Sequence, residues 1–253
     1  FIKAYDMRPV AFDVYRRSSE RFANNDRTID SCIILESLFV PPNERSKKSF
    51  ILYGLNSNKV ALSASEIRLN EDKLTLDFNL KENKKFIDSF SINIIAEYVI
   101  ADIIGAMQIA KKLDISWPII KLGISKIKPV PHRLEPRYDK EKDIVFIDDT
   151  FNTNPEGIKE AVSLLSKFKN RRKIYITPGM AETGEANRKI HLEIADYLSK
   201  VADLIVLIDT SSSRFIKEGL IKNNFQDDKI KIYRHQQDVY DDLNHWSKRG
   251  DVI

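Results

Sequence analysis

Six polar residues crowd into one short stretch, Asp148, Asp149, Thr150, Asn152, Thr153 and Asn154, with only Phe151 interrupting them. Carboxylates accept hydrogen bonds, while amides and hydroxyls both donate and accept, so the stretch has what is needed to grip a polar ligand. A blander explanation of the same residues is that Asp and Asn merely turn and cap the chain. Further polar residues follow two apolar runs downstream. They are Thr177-Pro178-Gly179-Met180-Ala181-Glu182-Thr183-Gly184-Glu185 and Asp209-Thr210-Ser211-Ser212. His191 falls two turns into a helical pattern, where a lone histidine is usually structural or exposed. Asp102 lies at the edge of an apolar stripe, where a partly buried structural acid is the ordinary reading.

The elements that must place these groups are legible in the hydrophobic pattern. Ile144 to Ile147 are an unbroken apolar run, as expected of a strand buried on both faces. Asn154 stands where an N-cap belongs and Pro155 at the first helical position. Apolar runs at Ile144–Asp148, Lys173–Thr177, Leu204–Ile208, Ile230–Tyr233 and from Asp251 onward alternate with amphipathic stretches. Those stretches are Pro155–Phe168, Glu185–Val201, Ser213–Asn223 and Gln237–Lys248. Strict alternation predicts an α/β fold with a parallel, Rossmann-like sheet and helices on both of its faces. Ligands of such sheets bind beyond the carboxyl ends of the strands, where the polar stretches fall.

Upstream, a helix is expected at Val14–Asn25 and strands at Ser31–Val40 and Ser49–Leu55. A two-strand hairpin is expected to turn at Asn70-Glu71-Asp72. A helix from about Ile92 to Leu113 should present Ile95, Val99, Ile103, Ala106 and Ala110 on one face, and a second helix should span Trp117–Ile127. Pro129, Pro131 and Pro136 stiffen KPVPHRLEPR, which places a boundary between residues 1–130 and 131–253.

Composition narrows the class. Hydrophobic residues make up 42% and charged residues 31%, the balance of a soluble globular protein rather than a disordered one. No apolar run reaches the length of a membrane span, and the start lacks the apolar core of a signal peptide. Cys32 is the single cysteine, which excludes an intrachain disulfide and a cysteine-rich zinc site. A cytoplasmic location is the expectation. The net charge of +4 is mild, and Lys81–Lys85 and Lys167–Lys173 lack interleaved aromatics, so no nucleic-acid partner is expected. Neither GxxxxGK[ST] nor GxGxxG occurs, and no HExxH or Ser–His–Asp arrangement stands out.

From about Ser49 onward the sequence resembles the Mur ligases, the MurF branch in particular. The resemblance rests on PVPHRLEP, on FIDDTFNTNPEG and on TPGMAETGE followed by His191, in the family's order and spacing. It implies a partial central, ATPase-type domain over 1–130 and a Rossmann-like C-terminal domain over 131–253. It also implies ATP and magnesium as cofactors. The implied reaction phosphorylates a carboxylate, and an amine then attacks the acyl phosphate; in the MurF branch, D-Ala-D-Ala is joined to a UDP-muramyl peptide in peptidoglycan synthesis. ATP, the UDP-muramyl peptide and D-Ala-D-Ala are thus the implied partners.

By the same resemblance, Arg133 and Asp149 would hold the ATP ribose, with Asp148, Asn152, Asn154 and Asp102 also on the cofactor side. Thr153, Glu182 and His191 would meet substrate. Some residues depart from the family pattern. Tyr98 and Val99 stand in place of His and Asn, and Asp102 in place of an adenine-contacting Asn. Pro178-Gly179 replaces a Gly-Asp pair. The P-loop and the magnesium acids, expected upstream of Ser49, are not found. The expectation is therefore either a fragment of a longer ligase or a diverged homologue that binds a nucleotide or a partner without turnover. Folate-type and cyanophycin-type ligases share the architecture and stay open as alternatives, as does an unrelated Rossmann-like domain.

Overall fold

A computed structural model describes residues 32–35, 50–151 and 154–253. The helix expected at Val14–Asn25, most of the Ser31–Val40 strand, and Asn152 and Thr153 lie outside the described residues. Two compact units emerge. The described residues up to Ile127 form the first, apart from Glu71–Leu74 and Asn93–Ala96, which group with Lys128–Ile253 in the second.

The first unit holds β1 (Cys32–Leu35), β2 (Phe50–Leu55), β3 (Leu62–Asn70), β4 (Thr75–Glu82) and β5 (Lys85–Ile92), in that order across one sheet. Strands β1 to β3 run parallel, and β4 and β5 continue antiparallel. The expected hairpin is present as β3–β4. Strand β5 was not foreseen, because KFIDSFSI buries only Phe90 and Ile92 and so lacks a clean alternation. Phe78 of β4 and Phe90 of β5 stack at 5.5 Å.

Helix α1 spans Val99–Lys112 rather than starting near Ile92, which ends β5 instead. Its buried face is Ile100, Ile103, Ile104, Gly105 and Met107. Of the expected stripe, Ile103 is in that face, Ile95 is buried ahead of the helix, Val99 and Ala110 are part-buried, and Ala106 is exposed. Helix α2 covers Trp117–Ile124.

The second unit contains β6 (Glu135–Asp139), β7 (Ile144–Asp148), β8 (Arg172–Thr177), β9 (Leu204–Ile208), β10 (Ile230–Tyr233) and β11 (Asp251–Val252). They form one sheet in the order β10-β9-β8-β11-β7-β6. All neighbours are parallel except β6, which pairs antiparallel with β7. The fold is α/β with a mostly parallel, Rossmann-like sheet, as the alternation predicted. The proline-rich stretch is not only a stiff connector, since its Pro136 sits inside β6 opposite Ile147. Proline is tolerated there because β6 is an edge strand with no second neighbour to supply.

Helices α3 (Pro155–Ser166), α4 (Asn187–Val201), α5 (Ser213–Lys222) and α6 (Gln236–Trp246) connect the parallel strands. The steps β7→β8→β9→β10 all move the same way across the sheet, so right-handed crossovers place α3, α4 and α5 on one face. There Ile158, Val162, Ile194, Leu198, Ile216 and Leu220 pack with Ile205 and Leu207. The return from β10 to β11 puts α6 on the opposite face, where Val239 and Trp246 pack with Ile174, Leu204 and Val206. Alternate residues of β9 thus feed the two cores, which explains the continuous LIVLI run.

Candidate functional site

Of the polar stretch, Asp148, Asp149 and Thr150 do fall at the carboxyl end of β7, and the segment leading into β6 folds over them. Arg133 lies in that segment, with its guanidinium over the Phe151 ring at 4.5 Å from the centroid. On either side of Arg133, His132 and Leu134 adopt left-handed backbone angles, φ 59° and 47°. Such conformations in non-glycine residues cost about 1 kcal/mol or more each, and persist only where the surroundings enforce them. Here the enforcing contacts come from the strand end. The Phe151 N–H donates to the His132 carbonyl at 3.2 Å, and the Leu134 N–H donates to Asp149 Oδ1 at 3.2 Å. The His132 N–H donates to Glu135 Oε2 at 3.1 Å.

The adjacent acids, Asp148 and Asp149, sit in opposite environments. Asp148 Oδ1 accepts from the Thr150 N–H at 3.1 Å and the Thr150 hydroxyl at 2.7 Å. Its Oδ2 lies 2.9 Å from His132 Nδ1 and 3.6 Å from Arg137. A carboxylate can only accept, so Nδ1 carries the proton. Burial pushes the Asp148 carboxyl up, but the hydrogen bonds from Thr150 and His132 outweigh it and leave the group below its usual range.

Asp149 goes the other way. Burial raises it to about 6, against the lowering effects of the Leu134 N–H and of Arg133, with the Asp148 charge adding to the rise. No hydrogen bond from a described residue reaches its Oδ2. Next to it, the Tyr175 phenol is pushed up by burial and secondarily by the Asp149 charge. A half-buried acid with one oxygen that no described residue donates to can accept from the hydroxyls of a polar ligand, while the cation beside it can offset a neighbouring anion.

His132, Glu135 and Asp148 present ligand atoms within 4.8 Å of one another, a spacing a cation could use. The Arg137 guanidinium, 3.2 Å from Glu135 and 3.6 Å from Asp148, already supplies positive charge there. Magnesium prefers an all-oxygen octahedron, which a histidine-containing, arginine-neutralised group does not fit.

The other predicted residues fall in several places. Asn154 caps α3 as expected, its side-chain oxygen accepting from the Gly157 N–H at 2.7 Å. His191 is fully buried, and both ring nitrogens are engaged. The Met180 N–H donates to Nε2 at 2.8 Å, and Nδ1–H donates to the Asn187 carbonyl at 2.7 Å. The ring therefore holds the chain after β8 in place and has no nitrogen left for a ligand. Gly179 shares that role at φ 81°, because a Cβ there would come within 2.9 Å of Ser212 Cβ and 3.0 Å of His191 Nε2. Glu182 is exposed at the tip of the same segment, with φ 57°.

Asp102 belongs to the first unit. Protein packed on one side strips part of its hydration and pushes its carboxyl up, although water reaches the residue, and its charge adds to the burial that raises Tyr53. Sequence reasoning did not single out His132, Glu135, Arg137 or Phe151 individually. Their roles depend on the β6–β7 pairing, which the prolines concealed.

The sequence model of the Mur ligase glutamate ligase domain matches residues 132–253. Among curated relatives, the UDP-N-acetylmuramoyl-tripeptide–D-alanyl-D-alanine ligase of Haemophilus influenzae is 25% identical over 133 residues, 53% of this chain and 29% of that protein. A Fusobacterium nucleatum protein named tRNA dimethylallyltransferase is 22% identical over 215 residues, 78% of this chain and 68% of that protein. Among solved structures, MurF ligase from Thermotoga maritima in complex with ADP superposes with a TM-score of 0.68 at 17% identity. That match covers 94% of this chain and 53% of the ligase, so the chain spans about half the length of the solved enzyme it matches. No helix among the described residues is long and apolar enough to cross a membrane. Residues 132–253 are thus similar to the C-terminal, glutamate ligase domain of the Mur ligases.

Proposed function

We propose that this chain is part of a MurF-like, ATP-dependent amide ligase of peptidoglycan precursor synthesis, with a nucleotide held at the carboxyl end of β7. Residues 1–130 are read as part of the ATPase-type central domain and 131–253 as the C-terminal domain. The observation that carries the reading is Asp149. It is half-buried, raised to about 6, has one oxygen directed to no described residue, and lies beside Arg133. A ribose hydroxyl is a fitting donor for that oxygen, and Arg133 would balance the nearby phosphates. The ADP complex of the Thermotoga ligase supports nucleotide use in proteins of this fold. Asn152, Thr153 and Asn154 are proposed to border the same ligand. Magnesium, implied by the family, is assigned to none of the described residues.

Titration calorimetry with ADP and ATP tests this reading. Wild-type chain should bind weakly, and Asp149→Ala should lose at least about tenfold in affinity, about 1.4 kcal/mol. Unchanged affinity would remove Asp149 from the site. Incubation with ATP, a UDP-muramyl peptide and D-Ala-D-Ala should release no ADP from this chain alone, because its sequence holds no phosphate cradle.

A second reading, a Mur-like module that binds without turnover, is favoured by Tyr98, Val99 and Asp102 standing where the family has His, Asn and Asn. The coding sequence ahead of Phe1 separates the two: a GTxGKT there favours the ligase, and a native start close to Phe1 favours the module.

A further inference from the structure

We propose that Asp148 is a positioning residue, latched to His132 so that Arg133 stays over the strand end, and that it makes no contact with ligand itself. This deepens the nucleotide reading and rests on it. The proposal follows from where each oxygen points. Both Asp148 oxygens are taken, Oδ1 by the Thr150 N–H and hydroxyl and Oδ2 by the His132 ring, with Arg137 alongside. Asp149 accepts from the Leu134 N–H through Oδ1, and no described residue donates to its Oδ2.

His132 and Leu134, the left-handed residues around Arg133, need external restraint. Among the described residues, four contacts from the strand end supply it: His132 to Asp148, the Thr150 hydroxyl at 3.5 Å from His132 Nδ1, Leu134 to Asp149, and Phe151 to the His132 carbonyl. The first is the shorter of the two that join side chains, at 2.9 Å, and its acceptor is ionised, which makes it the stronger type of bond. Glu135 and Arg137 close the ring, since Glu135 accepts from the His132 N–H and pairs with Arg137 at 3.2 Å. Releasing the latch should let the segment relax and carry Arg133 off the Phe151 ring.

The test compares Asp148→Ala, His132→Ala, the double variant and His132→Asn in the full chain. It measures amide exchange at Leu134 and Phe151, thermal midpoint and ADP affinity. Either alanine variant should speed exchange at both amides and weaken ADP about tenfold each, with little change in midpoint. The double variant should be no worse than either single, because both remove one device. Asparagine at 132 can donate to Asp148 and tolerates the left-handed backbone, so it should restore most of the protection and affinity. The proposal is overturned if exchange is unchanged in His132→Ala, or if the double variant is additive. A loss of ADP affinity in Asp148→Ala with none in His132→Ala overturns it too, because that pattern marks direct ligand contact. Should wild-type chain not bind ADP at all, the nucleotide reading falls, and exchange and additivity alone decide the latch.

Discussion

Asp149 carries a stability cost that its own pH dependence should expose. Its folded pKa of about 6 lies above the ordinary 3.8. Between those values the folded protein holds a proton that the unfolded chain has released, so stability falls as pH rises through the window. Above about pH 6 the penalty is complete. Water still reaches the group, so the cost is about 1 kcal/mol rather than the full shift. Asp149→Asn keeps an acceptor for Leu134. It should raise the thermal midpoint by about 2–4 °C at roughly pH 7.5 and leave it unchanged near pH 3.5. Equal gains at both pH values would show that ionisation is not the cause. His191 is a different kind of residue, for it works by satisfying the Met180 N–H inside the protein. His191→Ala should cost about 1–3 kcal/mol in chemical denaturation, the price of a buried donor left unpaired. A variant within a few tenths of wild type would mean that water replaces the ring.

Helices α4 and α5 meet at a point set by two small residues. A Cβ on Gly219 would lie 2.5 Å from Ala195 Cβ, closer than two carbons can approach. Gly219→Ala is therefore expected to push the helices apart and destabilise the unit by about 1–3 kcal/mol, despite the better helix propensity of alanine. Denaturant midpoints decide it, and a stabilised variant would mean the helices can separate without loss. Neither this contact nor the role of His191 was legible beforehand, because both depend on which helix faces which. The elements themselves were largely legible. The N-cap at Asn154 and the ends of β7, β9 and β10 follow from apolar runs and capping chemistry that act locally. Strand β6 was hidden because Pro136 signals a break, and only its edge position makes that proline harmless. The candidate site was legible to the same extent. Asp148 and Asp149 could be placed at a strand end, yet their division of labour depends on Leu134 and His132, residues of a segment whose fold was not foreseen.

At the scale of the second unit, β11 joins what the rest of the chain leaves apart. Asp251 is fully buried and takes a two-pronged bond from Arg172, Nε to Oδ1 at 2.9 Å and a terminal nitrogen to Oδ2 at 2.7 Å. The Lys248 N–H adds a third bond, at 2.7 Å to Oδ2. Removing one partner of such a pair leaves the other without compensation, so Asp251→Ala should cost about 3–5 kcal/mol. Equilibrium denaturation would detect it, and a loss below about 1 kcal/mol would mean Arg172 finds another acceptor.

The order of synthesis gives the position of β11 a further meaning. Val252 lies between Val145 of β7 and Lys173 of β8. The β6–β7 hairpin and the β8–β10 block consequently share no backbone ladder until residues made roughly a hundred positions after β7 arrive to bridge them. While the chain is still emerging from a ribosome, the acidic strand end is on one raft and the segment held by His191 on another. A nascent chain stalled before Asp251 should accordingly expose β7 to proteases, and the emergence of Asp251 and Val252 should close the sheet in a single step.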